Sequence, residues 1–123
     1  MTTKNDVIEI NGRKYIPADS VIGKRESVAN KKYVIVRTYS AGVFAGYLKS
    51  KNGKEVVLND ARRIWQWQGA ATLSQLSQEG TTKPELCKIP CAVDEIVLTE
   101  AIEIIAVTPK AKVSIEGVPV WKM

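Results

Sequence analysis

The chain has 123 residues, 45% of them hydrophobic and 25% charged, with a formal net charge of +5; this suffices for one domain that buries a core without staples. No apolar run approaches the roughly 20 residues of a membrane span, and the opening MTTKNDVIEING lacks the apolar stretch of a secretory signal, so a non-membrane, cytoplasmic protein is expected. With no histidine and two cysteines, the chain has neither a disulfide framework nor an imidazole base for nucleophilic catalysis.

In chain order, Val7–Ile10, Asn11-Gly12 and Arg13–Ile16 read as a β-hairpin, because Asn-Gly supplies the positive φ angles of a type I′ turn. Pro17 ends it. Residues 18–31 are polar, basic and weakly patterned, so residues 1–31 form an N-terminal arm that must dock on its own body or on a neighbouring subunit. The body, residues 32–123, opens with the β-branched run Tyr33–Tyr39. Ser40-Ala41-Gly42 turns it into Val43–Lys49, and Asn52-Gly53 makes a second hairpin into Lys54–Leu58. Asn59-Asp60 then introduces a fourth strand, residues 61–68, completing an antiparallel meander.

From Gly69 to Gly80 the period changes. Ala70, Leu73 and Leu76 share one stripe, which predicts a helix of about three turns closed by Gly80. Pro84 and Pro90 punctuate the connection 81–92. Asp94–Thr99 and Ala101–Val107 read as two strands with a bend or bulge at Thr99-Glu100. Thr108, Pro109 and Gly117 supply the cap, first-turn proline and terminal glycine of a short helix. Val118–Trp121 closes as an extended segment. The class is α+β: an antiparallel sheet with one three-turn helix, a short C-terminal helix and the hairpin arm.

Charge is uneven, +7 over residues 1–63 and −2 over residues 64–123. A basic front suits an anionic partner; a solvated surface accounts for it equally well. The stretch Ala61–Gln68 is the most informative. Strand alternation puts Arg63, Trp65 and Trp67 on one face and Arg62, Ile64, Gln66 and Gln68 on the other. Two indoles beside a guanidinium can stack a base and hold a phosphate. The same pattern also packs aromatics into a core with the arginine along the edge, and this is the better reading for at least one tryptophan.

Arg37 and Tyr39, with the Ser40-Ala41-Gly42 turn, can cup an anion, though a plain hairpin uses the same residues. The helix entry at Gly69–Thr72 can offer unpaired N–H groups beside Arg63, or be ordinary helix initiation. Cys87 and Cys91 fall short of a four-ligand zinc set and read as buried free thiols. Asp94, Glu95, Glu100 and Glu103 read as solvent-facing positions rather than paired catalytic carboxylates. No phosphate-loop pattern is present.

The segments KYVIVRTYSAGVFAGYL, VVLNDARRIWQWQGAATLSQLSQEG and CAVDEIVLTEAIEIIAVT resemble a family of small proteins of tailed bacteriophages and prophages, over roughly residues 32–122. The resemblance implies origin rather than mechanism. It carries no catalytic motif and suggests a role in modulating the host, binding nucleic acid or sequestering a defence-signalling nucleotide.

The expectation is a non-enzymatic, cofactor-free phage accessory protein in the host cytoplasm, homo-oligomeric, that binds a nucleotide or nucleic acid. Its expected ligand-binding residues are Arg37, Tyr39, Arg62, Arg63, Trp65, Trp67 and Thr72. The alternatives are an adaptor or inhibitor of a host protein, with the tryptophans as interface, and a minor virion component.

Overall fold

The computed structural model describes residues 31–123; the expected hairpin over residues 7–16 and the rest of the arm to residue 30 lie outside the described residues. Five strands, β1 (Tyr33–Thr38), β2 (Val43–Asn52), β3 (Glu55–Ile64), β4 (Val93–Leu98) and β5 (Ala101–Ala106), accompany two helices, α1 (Leu73–Glu79) and α2 (Pro109–Glu116), and a 3₁₀ turn at Pro84–Leu86. The sheet order is β4-β3-β2-β1-β5, every neighbouring pair antiparallel. The α+β class is as expected, with corrections to the elements.

The sheet cannot be flat. β4 and β5 occupy opposite edges, which in a flat five-stranded sheet lie about 19 Å apart. Only Thr99 and Glu100 separate them in sequence, and three Cα steps reach at most about 11 Å. The sheet therefore curls until its edges meet at this link. The Ala101 N–H bonds the Lys54 carbonyl at the tip of the β2–β3 hairpin, and the Tyr39 N–H bonds the Glu100 carbonyl, so the crossing is fastened on both sides. The concave face encloses Val34, Val36, Phe44, Val56, Leu58, Ala61 and Leu98, with Ile96, Ala101 and Ile104 packed against them. All five strands thus contribute to one core.

The expected meander of four strands is three, because β3 runs through Asn59-Asp60 to Ile64. Instead of a turn, Asp60 makes a bulge. Tyr47 pairs Asn59 and Ala45 pairs Arg62, leaving Asp60 and Ala61 opposite Gly46. Asp60 sits at φ 51, a left-handed conformation that Asp tolerates better than most residues. Gly46 is required opposite it, since a Cβ there would lie 3.0 Å from the Asn59 carbonyl oxygen and 3.1 Å from Ala61 Cα. The extra residue reverses the alternation: Val56 and Leu58 face the core before it, Ala61 and Arg63 share that face after it, and Arg62 and Ile64 turn to the convex face.

The convex face is covered by the helices and by the connection leading to β4. Tyr33, Ile35, Ala45 and Tyr47 of the sheet are buried there, as are Leu76 of α1, Ile89, Ala111 and Ile115 of α2, and Val118. The Tyr33 and Tyr47 rings meet edge-on at 4.9 Å. Helix α1 is shorter than the expected three turns. It begins after Thr72, whose hydroxyl accepts the Gln75 N–H, while Gln75 Oε1 accepts the Ala71 N–H, a variant of the Thr-x-x-Gln capping pattern. Among the described residues no helix is long and apolar enough to cross a membrane.

Candidate functional site

Trp65 follows β3 directly and is 63% exposed. Its main chain is held by Lys88, whose carbonyl accepts the N–H groups of both Trp65 and Gln66. Lys88 and Ile89 act as a short central strand, with Gln66 bridged antiparallel on one side and Val120 parallel on the other. The Trp121 N–H bonds the Ile89 carbonyl, which brings Trp121 alongside Trp65. The two indoles are nearly parallel, 10° apart with centroids 6.4 Å from each other. Lys88 Nζ lies 5.6 Å from the Trp121 ring centre, within cation–π range. Two exposed indoles and an ammonium group therefore share one surface.

Arg63 lies two residues before Trp65 and is exposed. Its guanidinium rests 4.5 Å from the Phe44 ring centre and donates one bond, 2.7 Å, to the Ala41 carbonyl. This holds the side chain over the end of the concave face beside the β1–β2 turn. Tyr39, in that turn, is 78% exposed.

The other expected residues are employed within the fold. Arg62 was expected to meet phosphate, but it is buried and its guanidinium donates to the carbonyls of Pro90, Ile115, Val118 and Ile89 at 2.7–2.9 Å. Burial draws its pKa below the ordinary arginine value. Arg62 is a clamp between the sheet, the 89–90 segment and the end of α2. Arg37 pairs with Glu103 at 3.0 Å. The donors of the expected anion cup around Arg37 and Tyr39 are already used within the fold, since the Ser40 hydroxyl donates to Glu100 and the Ala41 N–H to the Thr38 hydroxyl. Trp67 is half-buried and donates its indole N–H to the Ala70 carbonyl, so it is not on the open stack with Trp65. Thr72 caps a two-turn helix rather than offering an anion site.

Both cysteines were expected to be buried; Cys87 is, and Cys91 is exposed. Asp94, Glu95, Glu100 and Glu103 are solvent-facing as expected. Lys49 bonds Glu95 at 2.9 Å, and that hydrogen bond holds the Glu95 carboxyl below the ordinary carboxylate value.

Sequence reasoning missed Trp121 and Lys88, which lie 56 and 23 residues from Trp65. No local periodicity links these positions. An available hint was the third tryptophan in an extended terminal segment, the natural complement to an unpaired indole.

Fold and surface together define a curled five-stranded α+β domain with an exposed aromatic and cationic patch. The chain belongs to the family described as Domain of unknown function (DUF6948), which matches residues 31–115. Trp65 and Lys88 lie inside the matched segment and Trp121 outside it. No curated protein matches the chain, and no solved structure does.

Proposed function

We propose that this body is a non-enzymatic binding module for single-stranded nucleic acid or a nucleotide, with Trp65 and Trp121 stacking bases while Lys88 and Arg63 meet phosphate. The observation that carries this reading is the pair of exposed, near-parallel indoles flanked by a lysine. Aromatic faces beside cations bind bases with little regard to sequence, because every base has a π face. An exposed aromatic patch also calls for a partner. The working ligand set is Trp65, Trp121, Lys88 and Arg63, with Tyr39 beside Arg63; Arg62, Trp67, Thr72 and Arg37 leave it. Homo-oligomer formation belongs to the same proposal and is supported by the exposed Val93, Val97 and Ile102 on the two edge strands. The phage setting and the bacterial cytoplasm rest on the resemblance of residues 32–122 alone.

The test is tryptophan fluorescence titrated with an unstructured thymidine oligonucleotide and, separately, with AMP. Saturable quenching is expected, and Trp65→Ala or Trp121→Ala should weaken binding by about 1–3 kcal/mol. Against the oligonucleotide, affinity should fall steeply with salt, and Lys88→Ala should lower that slope by about 1. A shallow salt response with tight AMP binding assigns the patch to a mononucleotide instead. Emission indifferent to both probes overturns the reading. Capture of a host protein through the same tryptophans, surviving nuclease treatment, would replace it with the adaptor reading.

A further inference from the structure

Among the described residues the curled sheet leaves two edges without a neighbouring strand, the outer side of β4 and the outer side of β5. Soluble proteins commonly blunt such edges with outward charges, lysine above all, or with proline. Neither edge here is blunted in that way. β4 reads VDEIVL and β5 reads AIEIIA, six residues each, with no lysine or proline. Two of their three acids are turned back over the sheet, Glu103 to Arg37 of β1 and Glu95 to Lys49 of β2. Asp94 remains, together with Val93, Val97 and Ile102, which are exposed.

The β5 edge also has a shape. The Val107 N–H bonds the Tyr33 carbonyl on β1, so alternation along an antiparallel pair directs the main-chain groups of Ile104 and Ala106 away from β1. The Ala106 carbonyl takes the Gln78 side chain of α1, and the Ala101 N–H is tied to Lys54 at the β2–β3 tip. Ile104, between these fastened points, finds no outward main-chain partner among the described residues. Beside it opens a cleft of about 330 Å³, walled by Ala101, Ile102 and Ile104 and rimmed by Lys51, Gly53 and Glu103. Lys51 stands opposite Val56 and so shares its concave face, yet its ammonium pairs with no carboxylate among the described residues.

The occupant of this edge must bring a free main chain, apolar side chains and a carboxylate. β4 has all three. Alternation places Asp94 on the row of Ile96 and Leu98, the concave row, which is also the row of Ile104 and Lys51 when one sheet continues into the next. Like edges match less well, since two β5 edges bring lysine towards lysine and two β4 edges bring aspartate towards aspartate. We propose that β4 of one copy adds to the open edge of β5 in the next, with Asp94 meeting Lys51, so that the chain assembles head to tail into a closed ring. An interface between unlike surfaces closes into a ring when its rotation permits. This names the contact within the homo-oligomer proposed above and rests on that reading, but not on the tryptophan pair.

Sedimentation velocity of the full-length chain provides the test, with one species of three or more copies expected. Val97→Lys blocks the β4 edge and Ile102→Lys the β5 edge, both at exposed positions, and each variant alone should sediment as a monomer. Mixed in equal amounts they should form a dimer of twice that mass, because each retains the edge the other has lost. Lys51→Glu and Asp94→Lys should each raise the concentration needed for assembly at least about tenfold, and the double variant should restore it. A wild-type monomer overturns both this contact and the homo-oligomer reading. A wild-type dimer, assembly that survives either lysine variant, or a mixture that stays monomeric overturns the β4–β5 contact and leaves the homo-oligomer reading standing. If either lysine variant loses its fold by circular dichroism, the charge exchange decides: restoration supports the contact, and a double variant no better than the singles overturns it.

Discussion

Arg62 donates to four main-chain carbonyls from inside the fold, two of them, Ile115 and Val118, at the end of α2. The Ile115 carbonyl also accepts the Val118 N–H, so Arg62 adds a second donor where the helix closes and holds the segment that follows it. Arg62→Ala would remove four hydrogen bonds of a buried side chain at once and is expected to lower stability by about 3–4 kcal/mol in a denaturant titration. Arg62→Lys should recover little, because a compact ammonium cannot span carbonyls that a planar fork reaches. Next to it, Arg63→Ala should cost far less, since Arg63 is exposed. In the sequence these two arginines look alike. Alternation separates them onto opposite faces, but which face is buried depends on segments 27 to 56 residues away, which no local pattern reports.

Burial, and then the neighbouring Glu116, raise the pKa of Tyr33, and burial, followed by the hydrogen bond to Glu116, raises that of Tyr47, both well above the ordinary tyrosine value. The native protein therefore keeps protons that the unfolded chain releases above about pH 10. Stability is expected to be flat below that pH with respect to these groups and to fall as pH rises beyond it, because the unfolded state then binds fewer protons. Urea titrations across the alkaline range check this. Tyr33→Phe and Tyr47→Phe should each flatten the decline, and a decline unchanged in both variants would contradict the assignment.

At the scale of elements, the start of α1 is set by side-chain chemistry rather than by the apolar stripe. Ala70 and Leu73 share a periodic face with Leu76, which extends the helix on paper to residue 70. In the fold Gly69 takes φ 84, Ala70 gives its carbonyl to the Trp67 indole, and the Thr72 hydroxyl bonds the Gln75 N–H at 3.1 Å. The Thr-x-x-Gln spacing was readable, and it marks the cap better than hydrophobic period does. Thr72→Ala is expected to lower stability by about 1 kcal/mol, with Thr72→Ser restoring most of it, by thermal unfolding. β3 shows a different limit. Asn59-Asp60 carries the composition of a turn, and Asp60 does adopt a turn-like backbone, yet β2 and β4 pair on both sides of it and the strand continues. The local conformation was legible; whether it ended the strand depended on its neighbours.

For the whole molecule, the α+β class, the positions of β1, β2 and α2, and a break at Thr99-Glu100 were all legible, because each has a local signature in β-branched runs, capping residues or faltering alternation. The meaning of that break was not. It is where the chain passes from one edge of the sheet to the other, a fact that exists only once β5 pairs β1 across some seventy residues. The candidate surface was half legible for the same reason. Trp65 and Arg63 declare themselves within three residues, whereas Trp121 and Lys88 reach Trp65 only through the short pairing of Lys88-Ile89 with its two neighbours.

The position of β1 between β2 and β5 bears on how the protein is made. As the polypeptide emerges from the ribosome, β1, β2 and β3 can assemble early, but the far side of β1 stays open until residue 106 is available to pair it. During synthesis an apolar row that the finished molecule never displays is therefore exposed to other nascent chains, the kind of unprotected rim through which polypeptides associate wrongly. β5 acts as a latch, and chains truncated before it should be recovered as aggregates rather than as smaller folded bodies.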